Sequence, residues 1–136
     1  MLLGDHDAHA KNLAILHLPG RSVLADVYDT VPNPFQDGRV DYNLALAIDG
    51  SFDHRRISAA HLIREAEHWN ALGTGEPEQI VTTTLAGFAQ ALDHVPVPPG
   101  VPAATTAQLA WNVERLQAGA EIGQRPSGYR RRRRRP

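Results

Sequence analysis

The chain has 136 residues, which suits one domain with a single core, since a domain takes roughly 150 residues. Its formal charge of -1 hides a division: residues 1–129 carry eight Lys and Arg against fifteen Asp and Glu, a net -7, while the run Arg130 to Arg135 supplies the other six positive charges. The absence of cysteine excludes disulfides and thiolate metal sites; no apolar run nears the roughly 18 residues a membrane-spanning helix needs, and Asp5 ends the apolar start Leu2-Leu3 with no basic residue ahead of it, so no export signal is present and a soluble, cytoplasmic protein is expected.

In chain order, the polar stretch Gly4-Asp5-His6-Asp7-Ala8-His9-Ala10-Lys11-Asn12 reads as a loop, followed by two short apolar strands, Leu13 to Leu18 and Ser22 to Val27. Pro19-Gly20 between them is a strong turn dipeptide and predicts a hairpin. Thr30 to Val40, with Pro32, Asn33, Pro34, Asp37 and Gly38, is a loop by turn chemistry. Asp41 to Ile48 is a strand or a turn of helix, because Leu44-Ala45-Leu46-Ala47-Ile48 fits either period. From Ser58, a natural cap, the pattern turns helical: Leu62, Ile63, Ala66, Trp69 and Leu72 share a face, with Gly73 as the stop. A second helix, about Pro77 to Asp93, groups Ile80, Val81, Thr84, Leu85, Phe88 and Leu92, with Pro in the first turn where its missing donor costs nothing. Val95 to Pro102, with four prolines, is an extended connection. The third helix starts near Thr105 or Thr106 and carries Leu109, Val113, Leu116 and Ala120. Arg125-Pro126-Ser127-Gly128 then leads into the arginine run, and like-charge blocks of this kind are solvated tails. The predicted organisation is a folded unit over 1–124 and a disordered Arg-rich tail over 125–136 that can bind nucleic acid, anionic membrane or acidic protein without sequence preference.

The chemistry sits at the start. Phosphoryl transfer needs an Asp to accept the hydroxyl proton, an Asn five positions later to hold magnesium, and a second Asp to complete the metal site. Asp7, Asn12 and Asp29 have that order and spacing. The Pro19-Gly20 turn lies midway between Asn12 and Asp29, and paired strands run about 5 Å apart, so both oxygen ligands are predicted to emerge side by side at the open end of the ladder, within reach of one ion.

Asp7-Ala8-His9-Ala10-Lys11-Asn12, then Val27-Tyr28-Asp29, then Leu44-Ala45-Leu46-Ala47-Ile48-Asp49-Gly50 resembles the C-terminal part of HipA-like serine/threonine kinases, the toxins of bacterial toxin–antitoxin pairs. The resemblance implies an α+β, mostly helical fold: a partial kinase C-lobe with a β-hairpin following the catalytic loop. It places Asp7 at the catalytic base, Asn12 and Asp29 at the magnesium positions, and the Leu44 to Gly50 segment after the metal Asp. It further implies Mg2+ and ATP as cofactors, a protein Ser or Thr as substrate, and a helix-turn-helix antitoxin as partner. Lys11 is a candidate phosphate ligand and His9 a candidate orienting group, since the kinase mechanism needs no imidazole base. Thr30 stands after Asp29 where ordinary protein kinases carry Phe-Gly, as is normal for this family.

A working kinase also takes a Gly-rich loop, a strand Lys and an orienting Glu from an N-terminal lobe. Only Met1, Leu2 and Leu3 precede the motif, and Gly73-Thr74-Gly75 is not followed by a Lys. The chain therefore reads as about the last third of a kinase, inactive alone, active if a separate N-lobe chain complements it, and apolar and exposed where preceding helices would pack. The alternative is a noncatalytic split or degenerate module that docks on a partner chain. A third reading, a metallohydrolase built on His6, Asp7 and His9, has an incomplete ligand set; His61 and His68 share a helix face but lack the His-Glu-x-x-His arrangement.

Overall fold

A computed structural model describes residues 12–26, 28 and 42–129. The predicted loop at Thr30 to Val40 and the Leu2-Leu3 start lie outside the described residues. The first element is the expected hairpin: β1 (Ile15–Leu18) and β2 (Arg21–Leu24) pair antiparallel, Ile15 opposite Leu24 and Leu18 opposite Arg21. Pro19 and Gly20 alone make the turn, and Gly20, at φ 75°, takes the left-handed position that a side chain would resist. Because the turn uses only two residues, Arg21 joins the ladder, which the sequence had placed in the connection. Beyond the strands the pairing continues for one further bond, Ala25 N–H to the Ala14 carbonyl at 2.8 Å.

The Leu44 segment, which fitted either period, is a strand. β3 (Asn43–Ile48) pairs antiparallel with β4 (Ser51–Asp53), with Ile48 opposite Ser51, Asn43 opposite Asp53 and a register irregularity between. The deciding residues are Asp49 and Gly50, at φ 48° and 73°. Two successive left-handed positions define the turn that matches strand twist, and Asp-Gly is a preferred pair for it.

A single 3-10 turn, His54–Arg56, links β4 to the first helix, α1 (Ala59–His68). Ser58 caps α1 as expected, and the residue three positions on is His61 rather than Glu or Gln. Its Nδ1 accepts the Ser58 backbone N–H at 3.2 Å and lies 2.8 Å from Ser58 Oγ. The imidazole thus performs the part a Glu plays in a capping box. The helix stops five residues before Gly73: Asn70 adopts φ 51°, and Asn is the residue besides Gly that visits this region readily. Trp69 and Leu72 consequently fall off the buried face, and Trp69 stays 64% exposed.

α2 (Glu76–His94) begins after Gly75 at φ 82°, with Pro77 buried in the first turn. Leu85 is buried and Val81, Phe88 and Leu92 are half-buried, while Ile80 and Thr84 face solvent. The proline-rich connection turns at Pro98 to Val101, with Gly100 at φ 91°. α3 (Ala103–Gln117) starts two residues earlier than expected, from Pro102 in extended conformation, and ends before Ala120. Val113 and Leu116 are fully buried on its inner face.

The core joins Leu44 of β3, Ile57, Leu85 of α2, Leu116 of α3 and Ile122, with Ile48, Ala59, Leu62, Val81 and Trp111 packed around them. Ile122 had no predicted element. After α3 the chain returns along the 3-10 turn: Ile122 N–H donates to the Ile57 carbonyl at 2.9 Å and Gly123 N–H to that of Arg55 at 2.7 Å. The Ile122 carbonyl accepts the Trp111 indole N–H at 2.8 Å. Burying such a side chain contributes about 2–3 kcal/mol, and here the two backbone bonds fix it between β4 and α1. Arg125 to Tyr129, placed in the tail by composition, also sit on α3: Arg125 Nε donates to Gln108 Oε1 at 3.0 Å, and the Tyr129 ring meets Trp111 edge-on, 5.1 Å between centroids.

Candidate functional site

Of the residues singled out from the sequence, Asn12 lies among the described ones, and Asp7, His9, Lys11 and Asp29 lie outside them. Asn12 is half-buried and precedes β1 by three residues. The register determines what is near it. Pairing runs from the Pro19-Gly20 turn toward Ala14 and Ala25, so β2 leaves the ladder through Ala25 and Asp26 at the end where Asn12 enters β1. Antiparallel pairing thus joins the chain just after Asn12 to the chain leading on to Tyr28.

Neither strand of this hairpin packs extensively on another described element. The paired residues Ile15 and Leu24 are 63 and 64% exposed, and a two-stranded hairpin with an uncovered apolar face is marginal by itself. Near its turn, His17 Nδ1 lies 2.9 Å from Ser22 Oγ; the two residues are directly paired in the ladder, a polar cross-strand contact that suffices to explain His17.

The Asp49-Gly50 end of the second hairpin is tied to α1 by a polar network that the sequence did not disclose. The Asp49 backbone N–H donates to Glu65 Oε2 at 2.8 Å, Arg64 Nε donates to Asp49 Oδ2 at 2.7 Å, and the Trp69 indole N–H donates to Glu65 Oε1 at 3.1 Å. At the other end of β4, Asp53 accepts the Arg55 backbone N–H at 2.9 Å and grips its guanidinium at 3.0 and 2.8 Å, while that guanidinium lies over the Tyr42 ring at 4.6 Å. The one forward signal was the Asp-Gly pair, which marks a tight turn but not its attachment.

These bonds depress two carboxyl pKa values. Glu65 is held below its usual 4.5, first by the Asp49 N–H and then by the Trp69 indole; Asp53 is held below 3.8, first by the Arg55 side chain. A carboxyl whose folded pKa lies below its unfolded value adds stability at pH above the unfolded value and loses it as pH falls through the folded one. Stability should therefore be flat near neutrality and decline in acid, beginning around pH 4.5, the ordinary Glu value. Urea midpoints measured from neutral pH downward check this. The Glu65→Gln/Asp53→Asn double variant should show a shallower acid decline than the parent, and an equally steep one would refute these groups as its cause.

The described residues contain no group of three His, Asp or Glu side chains placed to hold a metal ion. His61 Nδ1 is committed to Ser58, and His68 is exposed at the last turn of α1. The proposed helical histidine pair thus has no third ligand among the described residues, while His6, Asp7 and His9 lie outside them. No described helix is long and apolar enough to cross a membrane.

Compared with known families, residues 1–94 match the model of the HipA-like C-terminal domain. The match takes in both hairpins, α1 and α2 and stops at the last residue of α2. No curated protein and no solved structure gives a significant match.

Proposed function

The chain belongs to the HipA-like C-terminal domain family, and from that premise we propose that it carries the catalytic base and magnesium ligands of a serine/threonine protein kinase. Asp7 accepts the proton of the substrate hydroxyl, Asn12 and Asp29 hold Mg2+, Lys11 faces a phosphate, and His9 orients the loop. The carrying observation is the first hairpin, whose register returns β2 to the end of the ladder where Asn12 stands. The donor set fits the ion, since Asn12 and Asp29 offer oxygen ligands and Mg2+ takes oxygen. When bound, the ion neutralises charge on the phosphate oxygens.

Gripping the nucleotide is a separate task. It calls for a Gly-rich loop and a strand Lys, and Gly73-Thr74-Gly75 is instead occupied in starting α2: Gly73 N–H donates to Glu76 Oε2 at 2.6 Å and Gly75 is the residue before the helix. Polypeptide other than residues 1–136, joined to it or separate, supplies that grip in this reading, and the exposed Ile15 and Leu24 are apolar surface suited to packing against it. A helix-turn-helix antitoxin is the regulatory partner that the family suggests.

Residues 1–136 alone should then bind Mg-ATP weakly, with the phosphates held from one side. Isothermal calorimetry checks this, and a micromolar affinity, about -8 kcal/mol, would overturn the division of labour. The function itself is tested by adding a polypeptide that carries the Gly-rich loop and Lys and following transfer of the terminal phosphoryl group of ATP to protein. No transfer despite a stable complex would leave a noncatalytic docking module as the better description.

A further inference from the structure

We propose that Val95 to Pro99, in the connection between α2 and α3, is a docking ligand for a partner domain of the SH3 type, whose groove is lined by aromatic side chains that donate hydrogen bonds. Composition is the first support. Three Val, four Pro and one Gly make up Val95 to Pro102, so the connection holds no polar side chain. All eight residues are nevertheless exposed, Val95 by 62% and Val97 by 53%. A segment that only joins two helices through water has no need of an unbroken apolar run, and contiguous exposed apolar surface marks an interaction site. The segment begins one residue past the family match and takes no part in the kinase reading.

Conformation is the second. Every residue from Val95 to Pro99 is a proline or stands before one. Proline fixes φ near about -65° and pushes the residue ahead of it out of the helical region, so the sequence dictates a polyproline II run. Val95 has φ -82° and ψ 123°, in the extended region. The run stops where Gly100 turns at φ 91° and the Val101 N–H donates to the Pro98 carbonyl at 3.3 Å. Both ends are anchored: the Val95 N–H donates to the Ala91 carbonyl at 2.8 Å, and α3, which starts after Pro102, packs along α2. A segment already held in its bound shape loses little entropy on docking.

The chemistry selects the occupant. Polyproline II has three residues per turn, which puts Val95 and Pro98 on one ridge, Pro96 and Pro99 on the next, and Val97 on the third. Two neighbouring apolar ridges can fill a groove while the third stays in solvent, and Pro96-Val97-Pro98-Pro99 has the PxxP spacing that aromatic grooves take. The four prolines have no N–H, and those of Val95 and Val101 are engaged within the chain. The segment therefore offers carbonyl acceptors and the groove must supply donors. Trp indole N–H and Tyr O–H groups do so while their rings cover the prolines. Strand addition to a sheet edge is disfavoured by the same missing N–H groups. No Lys or Arg lies between Gln90 and Ala110, so an anionic lipid surface gains nothing here from charge.

NMR titration of a panel of isotope-labelled SH3 domains, with grooves from acidic to neutral, by the unlabelled full chain tests this. At least one domain should shift its groove Trp and Tyr signals saturably, with a Kd below about 1 mM. The Pro96→Ala/Pro99→Ala variant, which strips one ridge, should bind that domain at least about tenfold more weakly. Val97→Ser, on the third ridge, should bind within about twofold of the parent; circular dichroism matching the parent shows that the fold of both variants is unchanged. No saturable shift in any domain, equal binding by the proline variant, or an equal loss from Val97→Ser would overturn the proposal. Concentration-dependent sedimentation of the chain alone, abolished in the proline variant, would assign the segment to a second copy of the chain and overturn it as well.

Discussion

Ending the chain at His94, the last residue of the family match, should leave a polypeptide without a cooperative unfolding transition. The matched region looks self-sufficient in sequence, with two hairpins and two helices. In the structure its apolar residues Leu44, Ile57 and Leu85 are covered by Leu116 and Ile122, which lie beyond it. α3 packs along α2, and Gln117 Nε2 donates to the Leu85 carbonyl at 3.4 Å. Removing Leu116 and Ile122 exposes apolar surface on both sides of the contact. Even the single change Leu116→Ala should cost about 2–5 kcal/mol, a large share of the roughly 5–15 kcal/mol that holds a small domain together. Urea denaturation followed by circular dichroism measures both. A 1–94 fragment with the full chain's midpoint would refute the shared core.

The Asp7→Asn variant, in a preparation that transfers phosphoryl groups, should reduce transfer by roughly a hundred- to ten-thousandfold, the usual contribution of a positioned general base. An amide cannot accept the substrate proton, yet it matches the carboxylate in size, so folding and docking should survive while chemistry fails. The informative comparison is between rate and binding: kcat should collapse with KM little changed. A variant that keeps its rate would remove Asp7 from the base position, and one that loses its complex with the partner would make the residue structural.

Legibility followed periodicity and turn chemistry. α2 and the inner face of α3 were readable because apolar residues recur at helical spacing, from Ile80 to Leu92 and from Leu109 to Leu116, and the first hairpin because Pro19-Gly20 has few other uses. The Leu44 segment defeated period analysis: Leu and Ala alternate over four residues before Ile48, and the answer lay in the two residues after it, Asp49 and Gly50. The end of α1 was misplaced because Gly73 outranks Asn70 as a stop in sequence, whereas Asn70 is where the backbone turns left-handed. The return segment was invisible, since one buried side chain, Ile122, makes no pattern. For the candidate site, the residue types and their order carried the reading, and the hairpin register is the part that the described residues address.

That return segment also bears on how the chain comes to fold. Ile122 pairs with a backbone carbonyl roughly 65 residues earlier, and closing a loop of that length costs on the order of 4 kcal/mol before any contact repays it. Contacts so distant along the chain slow the search for the native state. During synthesis at about 5–20 residues per second, Leu44, Ile57 and Leu85 must wait several seconds for Ile122 to be made. For that interval their apolar side chains lack the cover that Leu116 and Ile122 provide, and the rate at which ribosomes add residues 86–122 sets how long it lasts.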